Sequence, residues 1–197
     1  MVNRLFIYLY KLDIHKLKTA VEIYHEAMKH FNIYTAPCPG CGAKGHLTKH
    51  DEYEHQLTDY YDNKVQDGSV TICMVSCSSC KEKHTHSILP DLFVPHMSYS
   101  IIFIMLVLRA CLLRTESVTE VCAHYGIAVS TYYRWKDRYC THKSLCLDKI
   151  EKFIYWEDPY LNQQDVRICF ISFPHDFYNR FGFSFLQYSK TAESHGP

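Results

Sequence analysis

Apolar residues near the N-terminus recur at alternating three- and four-residue steps, the spacing of one face of an α-helix. The series is Ile14, Leu17, Val21, Tyr24, Met28 and Phe31. With Asp13 as N-cap, it predicts an amphipathic helix of about five turns. We favour a helix that packs on the rest of the chain, and the alternative is a homodimer seam over residues 14–31. Ahead of the helix, residues 4–10 are predicted to form a short strand.

The next stretch, residues 36–90, has the composition of strands separated by turns. Strand-like runs cover residues 46–57 and 69–76. Between them, Asp62-Asn63 and Asp67-Gly68 are typical turn dipeptides. The pattern predicts a short antiparallel sheet.

Two cysteine pairs with the same internal spacing flank these strands: Cys38-Pro-Gly-Cys41 and Cys77-Ser-Ser-Cys80. Two intervening residues let both thiolates of a pair point to one side of a tight turn, so each pair supplies half of a tetrahedral zinc site. Gly40 and Gly42 provide the backbone freedom that such a turn needs. We therefore predict a zinc ribbon with one structural Zn²⁺ held by all four cysteines, the alternative being buried thiols without a metal.

Other potential ligands lie nearby in the sequence. Cys73 alternates onto the same strand face as Cys77 and so could replace a ligand, although a small buried apolar side chain is the favoured interpretation. Five histidines also offer imidazole nitrogens: His46, His50, His55, His84 and His86. A metal-dependent nuclease is a further hypothesis for His84 and His86, but it requires an open coordination position, which four cysteines would close.

Residues 117–136 have the pattern of a helix-turn-helix. Ser117 and Glu120 form a capping box at the start of a short first helix, whose apolar face is Val118, Val121 and Cys122. Gly126 ends this helix in a left-handed conformation, and Ile127 fills the corner. The second helix is predicted to bury Tyr132, Trp135 and Tyr139. The alternative is a helical hairpin that only builds a core.

The opposite face of the second helix suits a recognition helix, whose first residues approach base edges in the major groove. Ser130, Thr131, Tyr133 and Arg134 are predicted to contact bases, and Lys136, Arg138 and Lys143 to contact phosphates. Between Arg109 and Lys143 there are six basic and three acidic residues, namely 109, 114, 134, 136, 138 and 143 against 116, 120 and 137. Positive charge therefore concentrates at the predicted DNA-binding motif.

A helix predicted over residues 98–114 is apolar on too many sides for a single packing stripe, so we expect it at the centre of the same domain. Pro90 and Pro95 mark its junction with the ribbon. The predicted organisation is residues 1–35 as strand and helix, 36–90 as zinc ribbon, 91–143 as helical domain and 144–197 as C-terminal extension. The fold class is α+β, with the ribbon packed beside the helical domain.

Composition narrows the functional classes. Of 197 residues, 47% are hydrophobic and 21% charged, as in a globular protein. The 21 basic and 21 acidic residues exclude a bulk polycation, so nucleic acid would have to bind to a local patch. The N-terminus lacks a signal-peptide pattern and the apolar run at residues 101–108 is too short for a membrane span, so we expect a cytoplasmic protein without membrane contact.

The ordered set of Cys-Pro-Gly-Cys-Gly, Cys-Ser-Ser-Cys-Lys, His84-Thr-His-Ser-Ile-Leu-Pro90, Tyr99-Ser100 and residues 118–135 resembles a family of small bacterial transposase-like zinc-binding proteins of unknown function. The resemblance covers about residues 37–140. The same set of motifs is similar to the N-terminal zinc-ribbon and helix-turn-helix domains of insertion-sequence transposases, which are expected to recognise element ends. The resemblance implies the four cysteines as metal ligands and residues 130–134 as the DNA-reading segment. Ala128 departs from such motifs, which usually place Ser there as N-cap.

Residues 144–197 are less informative. A strand is predicted at 166–173 and disorder at 191–197. The acidic residues Asp158, Asp165, Asp176 and Glu193 cannot be placed on a nuclease sheet in so short a segment, and we interpret them as solvated surface. The sequence thus predicts a non-catalytic, zinc-stabilised protein that binds double-stranded DNA, with or without a separately encoded catalytic partner. The alternative is a protein–protein adaptor that uses the ribbon and the N-terminal helix as a scaffold.

Overall fold

The computed structural model describes residues 3–7, 19–81, 85–90, 92–114, 116–146, 160, 173–174 and 176–187. The chain divides into two compact units, Met1–Phe93 and Val94–Pro197. Within the described residues, the first unit contains a sheet and one helix and the second contains helices, so the fold class is α+β. The N-terminal segment and the cysteine-rich stretch therefore belong to one unit.

The sheet of the first unit has four strands, β1 (Asn3–Ile7), β2 (Leu47–Tyr61), β3 (Lys64–Cys77) and β4 (Thr85–Pro90). Their order across the sheet is β1-β4-β3-β2. Strand β3 pairs antiparallel with both β2 and β4, whereas β1 pairs parallel with β4. The long β2–β3 hairpin thus forms one side of the sheet, and β4 is held on both edges.

The β2–β3 hairpin turns at Asp62 and Asn63, which have φ values of 52° and 58°. Two consecutive left-handed residues make the two-residue turn that matches the twist of a hairpin. The predicted turn at Asp67-Gly68 is wrong, because both residues lie within β3. Gly68 instead lies close to Val21: a Cβ on Gly68 would be 2.9 Å from Val21 Cγ2.

The helix of this unit, α1, runs Ala20–His30. Thr19 is its N-cap, in extended conformation, and forms a capping box with Glu22. A continuous helix from Asp13 is therefore wrong, and residues 13–18 lie outside the described part. The buried face comprises Ala20, Ile23, Tyr24 and Ala27, while Val21, Met28 and Phe31 of the predicted stripe are only half-buried at its margins.

Two polar contacts attach α1 to the hairpin. Asp59, buried in β2, accepts a 2.7 Å hydrogen bond from the amide of Ala20, the first residue of the helix. A carboxylate at this position is favoured by the helix dipole as well as by the hydrogen bond. The Tyr24 hydroxyl donates to the carbonyl of Thr71 at 2.6 Å, and burial raises the pKa of Tyr24 to about 12. These contacts orient the helix on the two long strands.

The second unit contains α2 (Ile101–Leu112), α3 (Val118–His124) and α4 (Val129–Cys146), which pack against one another. Helix α2 begins after Ser100, whose hydroxyl accepts a hydrogen bond from the amide of Phe103. All eight residues from 101 to 108 are buried, which confirms the predicted central position. Among the described residues, no helix has both the length and the apolar character to cross a membrane.

Residues 173–174 and 176–181 are helical and belong to the same unit. Phe177 and Phe185, both fully buried, lie against the His142 ring of α4, with centroid distances of 5.6 and 5.7 Å. The predicted strand at 166–173 is wrong at Phe173, which is helical; residues 166–172 lie outside the described part, as do Asp158, Asp165 and the segment 191–197. Asp176 is half-buried.

Candidate metal centre and nucleic-acid interface

The four cysteines of the two pairs converge at one point. The Sγ atoms of Cys38, Cys41, Cys77 and Cys80 all lie within 4.8 Å of one another. Two sulfur–sulfur distances join the pairs, 3.6 Å from Cys38 to Cys80 and 3.7 Å from Cys41 to Cys77. A metal about 2.3 Å from each sulfur of a tetrahedron requires edges of about 3.8 Å, whereas a disulfide requires about 2.05 Å. The arrangement therefore fits a four-coordinate metal ion.

The first pair lies in a tight loop before β2. The amide of Gly42, whose φ is +74°, donates to the carbonyl of Cys38 at 2.7 Å. The amide of Cys38 donates in turn to the carbonyl of Ala43 at 2.9 Å, so the loop closes on itself. The left-handed conformation at Gly42 is accessible to glycine at little cost. This backbone brings the Cys38 and Cys41 sulfurs to the same side.

The second pair begins at the last residue of β3, Cys77, and continues into the following turn. Leu47, the first residue of β2, is opposite Cys77 in the sheet register. One residue further on in the turn, the amide of Ser78 donates to the carbonyl of His46 at 3.0 Å. Both loops are thus anchored at the same end of the β2–β3 ladder. The hairpin therefore brings the two cysteine pairs together although 35 residues separate them in the sequence.

The electrostatics of the cluster favour a cation. Neighbouring Cys41 and Cys38 thiols, which hydrogen-bond to Cys80, raise its pKa above the usual range. Four sulfurs this close cannot all ionise without a compensating positive charge, because like charges oppose one another's ionisation. Cys38 and Cys77 are buried, Cys80 is half-buried and Cys41 is exposed. A cation would therefore be shielded from solvent on one side.

The alternative ligands are distributed differently. Cys73 lies outside the four-sulfur cluster, half-buried, and burial raises the pKa of its thiol. His46 and His50 are exposed, and the half-buried ring of His55 stacks on Phe93. His86 is fully buried, and its Nε2 lies 3.4 Å from the Sγ of Cys38. His84 lies outside the described residues.

In the second unit, helices α3 and α4 follow one another closely. Ser117 and Glu120 form the expected capping box at the start of α3. Gly126 has a φ of +66°, and the amide of the buried Ile127 donates to the carbonyl of Cys122 at 3.0 Å. Helix α4 then buries Tyr132, Trp135 and Tyr139, as predicted, and continues to bury His142 and Cys146, which the sequence analysis missed.

The opposite face of α4 carries the predicted base-contacting residues. Ser130, Tyr133 and Arg134 are exposed, and Thr131 is half-buried. The Arg134 guanidinium donates to Thr131 Oγ1 at 3.0 Å, which holds the arginine along the first turns of the helix. Tyr133 is 53% exposed, so much of its ring is accessible from solvent.

The three residues that are predicted to contact phosphates differ in how far their charges are exposed. Lys136 is exposed, with its ammonium 6.0 Å from the centroid of the Tyr133 ring. Lys143 is half-buried and lies over the ring of Tyr139 at 5.6 Å. Arg138 is half-buried as well, and its Nη1 lies 3.9 Å from Met97 Sδ. Of the three, Lys136 thus has the most accessible charge.

Comparison with known proteins adds little functional information. Residues 38–135 match the family model of a domain of unknown function, DUF6431. The match begins at the first cysteine of the cluster and ends at Trp135 in α4, so it includes all four sulfurs and the turn between α3 and α4. No curated protein and no solved structure matches the chain.

Proposed function

We propose that this chain is a non-catalytic, double-stranded DNA-binding protein in which a structural zinc site supports one unit and a helix-turn-helix forms the other. The observation that carries the proposal is the outer face of α4. Ser130, Tyr133 and Arg134 are exposed there, in the first two turns of a helix whose other face is anchored by buried aromatic rings. A helix held in this way can be inserted into a major groove without unfolding.

The connection between α3 and α4 supports assignment as a helix-turn-helix. A capped seven-residue helix, a left-handed glycine and a buried residue in the corner together give a rigid angle between the helices. Ala128 accepts hydrogen bonds from the amides of Thr131 and Tyr132 through its carbonyl, but it has no side-chain cap to offer. The free amides at the start of α4 would then be available to a phosphate oxygen.

The residues of α4 divide into two roles under this proposal. Arg134 is suited to a base edge, because its planar guanidinium can donate two parallel hydrogen bonds to guanine O6 and N7. Thr131 accepts a hydrogen bond from that guanidinium and would contact the neighbouring base. Ser130 and Tyr133 would contact bases on either side of these two residues. Lys136 would contact phosphates, with Arg138 and Lys143 as further, less accessible charges. Asp137 is exposed on the same face and would oppose binding beyond the second turn.

The metal in the proposal is Zn²⁺. Four cysteine ligands in two CxxC pairs are the usual donor set of structural zinc, and a complete set of protein ligands leaves no position for a substrate. Binding energy of this kind contributes directly to folding, on the order of 10 kcal/mol. The ion would hold the loops at the end of the β2–β3 ladder, whose residues 39–46 and 78–81 are exposed or half-buried and so contribute little packing.

The decisive experiment is binding of the zinc-loaded protein to a random duplex pool over a salt series, followed by sequencing of the retained DNA. We expect tight binding that weakens steeply with salt, because each phosphate contact releases counterions with a slope of about −0.9. Arg134→Ala should lose about 1–3 kcal/mol of preference at one base position. Arg134→Lys retains the charge, so it should keep the salt slope and lose the preference.

Two controls separate local recognition from net charge. Lys29→Gln removes a positive charge from the exposed side of α1 and should leave binding unchanged. Asp137→Asn removes a negative charge from the proposed interface and should strengthen binding to all sequences. Absence of binding at low salt by a folded, metal-loaded protein would refute the proposal and favour the protein–protein adaptor.

The proposed zinc site can be tested independently of DNA binding. Elemental analysis should find one zinc per chain, and Cys77→Ser should lose it together with the amide-exchange protection of β3. Cys140→Ser is the matched control, because Cys140 is exposed on α4 and outside the cluster. Full metal content in the Cys77 variant would refute the ligand set.

The resemblance to transposase-like zinc-binding proteins supports a narrower version of the proposal. In that version the chain is the DNA-recognition component of a mobile element, or a regulator derived from one. It predicts that the DNA selected from a random pool matches repeats flanking the coding sequence of this protein. Selection of unrelated sites would leave DNA binding intact and exclude recognition of its own element ends.

A further inference from the structure

A buried histidine lies directly against the candidate metal centre. His86 has 0% of its surface exposed, and its Nε2 is 3.4 Å from the Sγ of Cys38. That distance is within hydrogen-bonding range for a sulfur acceptor. Cys38 is itself only 2% exposed, so water has little access to this sulfur.

The sheet register explains how the imidazole reaches the cluster. His86 lies on β4, opposite Asn3 on β1 and opposite Val75 on β3. Residues opposite each other in an antiparallel pair point to the same face, and Cys77 shares that face because it is two residues beyond Val75. The backbone of His86 is thus held between two neighbouring strands, on the side where the cysteines converge.

The chemistry of a metal-bound thiolate determines the direction of this contact. A cysteine sulfur bound to a metal has no proton and can only accept hydrogen bonds. A hydrogen bond between Nε2 and Cys38 Sγ therefore requires the proton to be on Nε2. The amide of Gly40 also points at this sulfur, at 3.4 Å. The sulfur of this buried cysteine thus has two protein donors.

These donors matter because of charge. Four thiolates around a divalent ion carry a net charge of −2, which is costly to bury. Cys41 is exposed and Cys80 half-buried, so solvent can stabilise those sulfurs. Cys38 is deprived of solvent and needs hydrogen bonds from the protein instead. Partners of this kind typically change metal affinity by about 10–100-fold when removed.

We propose that His86 is a positioning residue of the metal centre, which donates its Nε2–H to the Cys38 thiolate and does not bind the metal itself. This inference rests on the tetrathiolate zinc site of the proposed function and is independent of DNA binding. It assigns one of the five candidate histidines a role that the sequence alone left open.

Two variants test the role. His86→Leu removes the hydrogen-bond donor and keeps a buried side chain of similar size. His86→Gln keeps a side-chain N–H near the position of Nε2–H. We expect His86→Leu to bind Zn²⁺ about 10–100-fold more weakly in competition with a chelator, and His86→Gln to recover most of that loss. A side chain that served only for packing would not be rescued by the polar glutamine.

Spectroscopy on Co²⁺-loaded protein gives a readout specific to the sulfur. A hydrogen bond lowers the energy of the thiolate electrons, so its loss in His86→Leu should move the sulfur-to-cobalt charge-transfer bands to longer wavelength at unchanged intensity per cobalt. If the histidine were a ligand in place of a cysteine, X-ray absorption of the wild-type zinc protein would show a nitrogen in the coordination shell. Either that result or identical spectra in the two proteins would overturn the proposal.

The wild-type protein alone provides a test if His86→Leu does not fold. Nitrogen-15 NMR of the zinc-loaded chain should show a protonated Nε2 on His86, and an unprotonated Nε2 would refute the inference. The outcomes also separate the two proposals. A wild-type chain that binds no metal refutes the zinc site itself, whereas a tetrathiolate site with an unprotonated Nε2 refutes only the role of His86.

Discussion

The acid sensitivity of the second unit should depend on one buried histidine. His142 on α4 is 3% exposed and is surrounded by the rings of Phe177, Phe183 and Phe185. Its Nδ1 accepts a 2.9 Å hydrogen bond from the amide of Leu186. Burial, and secondarily the charge of Arg138, lower the pKa of His142 from 6.5 to about 4.

The sign and size of the effect follow from this shift. The folded state disfavours protonation, so the unfolded state takes up a proton first as the pH falls below about 6.5. His142 therefore contributes stability above that pH, and the contribution is lost progressively down to about pH 4. A difference of about 2.5 units corresponds to about 3 kcal/mol in total and to about 2 kcal/mol at pH 5.

The assay compares urea unfolding of the wild-type chain and His142→Asn at pH 7.5 and pH 5. Asparagine keeps an acceptor near the position of Nδ1 but does not titrate, so the Leu186 amide retains a partner. Both tryptophans, Trp135 and Trp156, fall within residues 94–197, so tryptophan fluorescence reports on the second unit. Any acid effect on the cysteine cluster is common to both proteins and cancels in the comparison.

We expect the wild-type chain to lose about 2 kcal/mol more than His142→Asn over this pH interval. A parallel loss in the two proteins would refute the reasoning. So would an NMR titration in which the His142 ring protonates near its ordinary value of 6.5, because that would place the ring in contact with water.

Two predictions concern buried side chains in each unit. Asp59→Ala should lower the free energy of unfolding by about 2–3 kcal/mol, because it leaves the Ala20 amide without its charged acceptor, while Asp59→Asn should cost less. Hydrogen exchange at Ala20 checks this, and equal protection in the Ala variant would contradict it. Trp135→Ala should cost about 3–5 kcal/mol by circular dichroism, since the ring is 3% exposed and contacts Tyr99 and Phe103, with Trp135→Phe as the milder control. An unchanged melt would show that the ring is not part of the core.

Features that depend on neighbours along the chain were predictable. The capping box of Ser117 and Glu120 and the left-handed Gly126 follow from residues a few positions apart, and both are present. The all-round apolar character of residues 101–108 placed α2 at the centre of its unit. The convergence of the four cysteines was also predictable, since two CxxC pairs in one sequence are typical of a shared metal ion.

Other features were decided by contacts between distant segments. Apolar periodicity alone suggested a helix from Asp13, but the helix begins later, at the capping box of Thr19. Asp59, 39 residues from Ala20, holds that end on the hairpin. Gly68 resembled a turn residue because its dipeptide is common in turns, yet it lies within β3, where any Cβ would crowd the Val21 side chain.

The same distinction separates the four clustered cysteines from their surroundings. Which cysteines can form the cluster can be read from their spacing, because a CxxC loop is a local structure. Which of five histidines lies against a ligand cannot, because His86 reaches Cys38 only through the pairing of β4 with β3. Likewise, the sequence places His142 on α4 but does not predict its burial. The aromatic side chains that bury it come from more than 30 residues further along the chain. Local propensities determine elements and loops, whereas the environment of a side chain is a property of the packed tertiary structure.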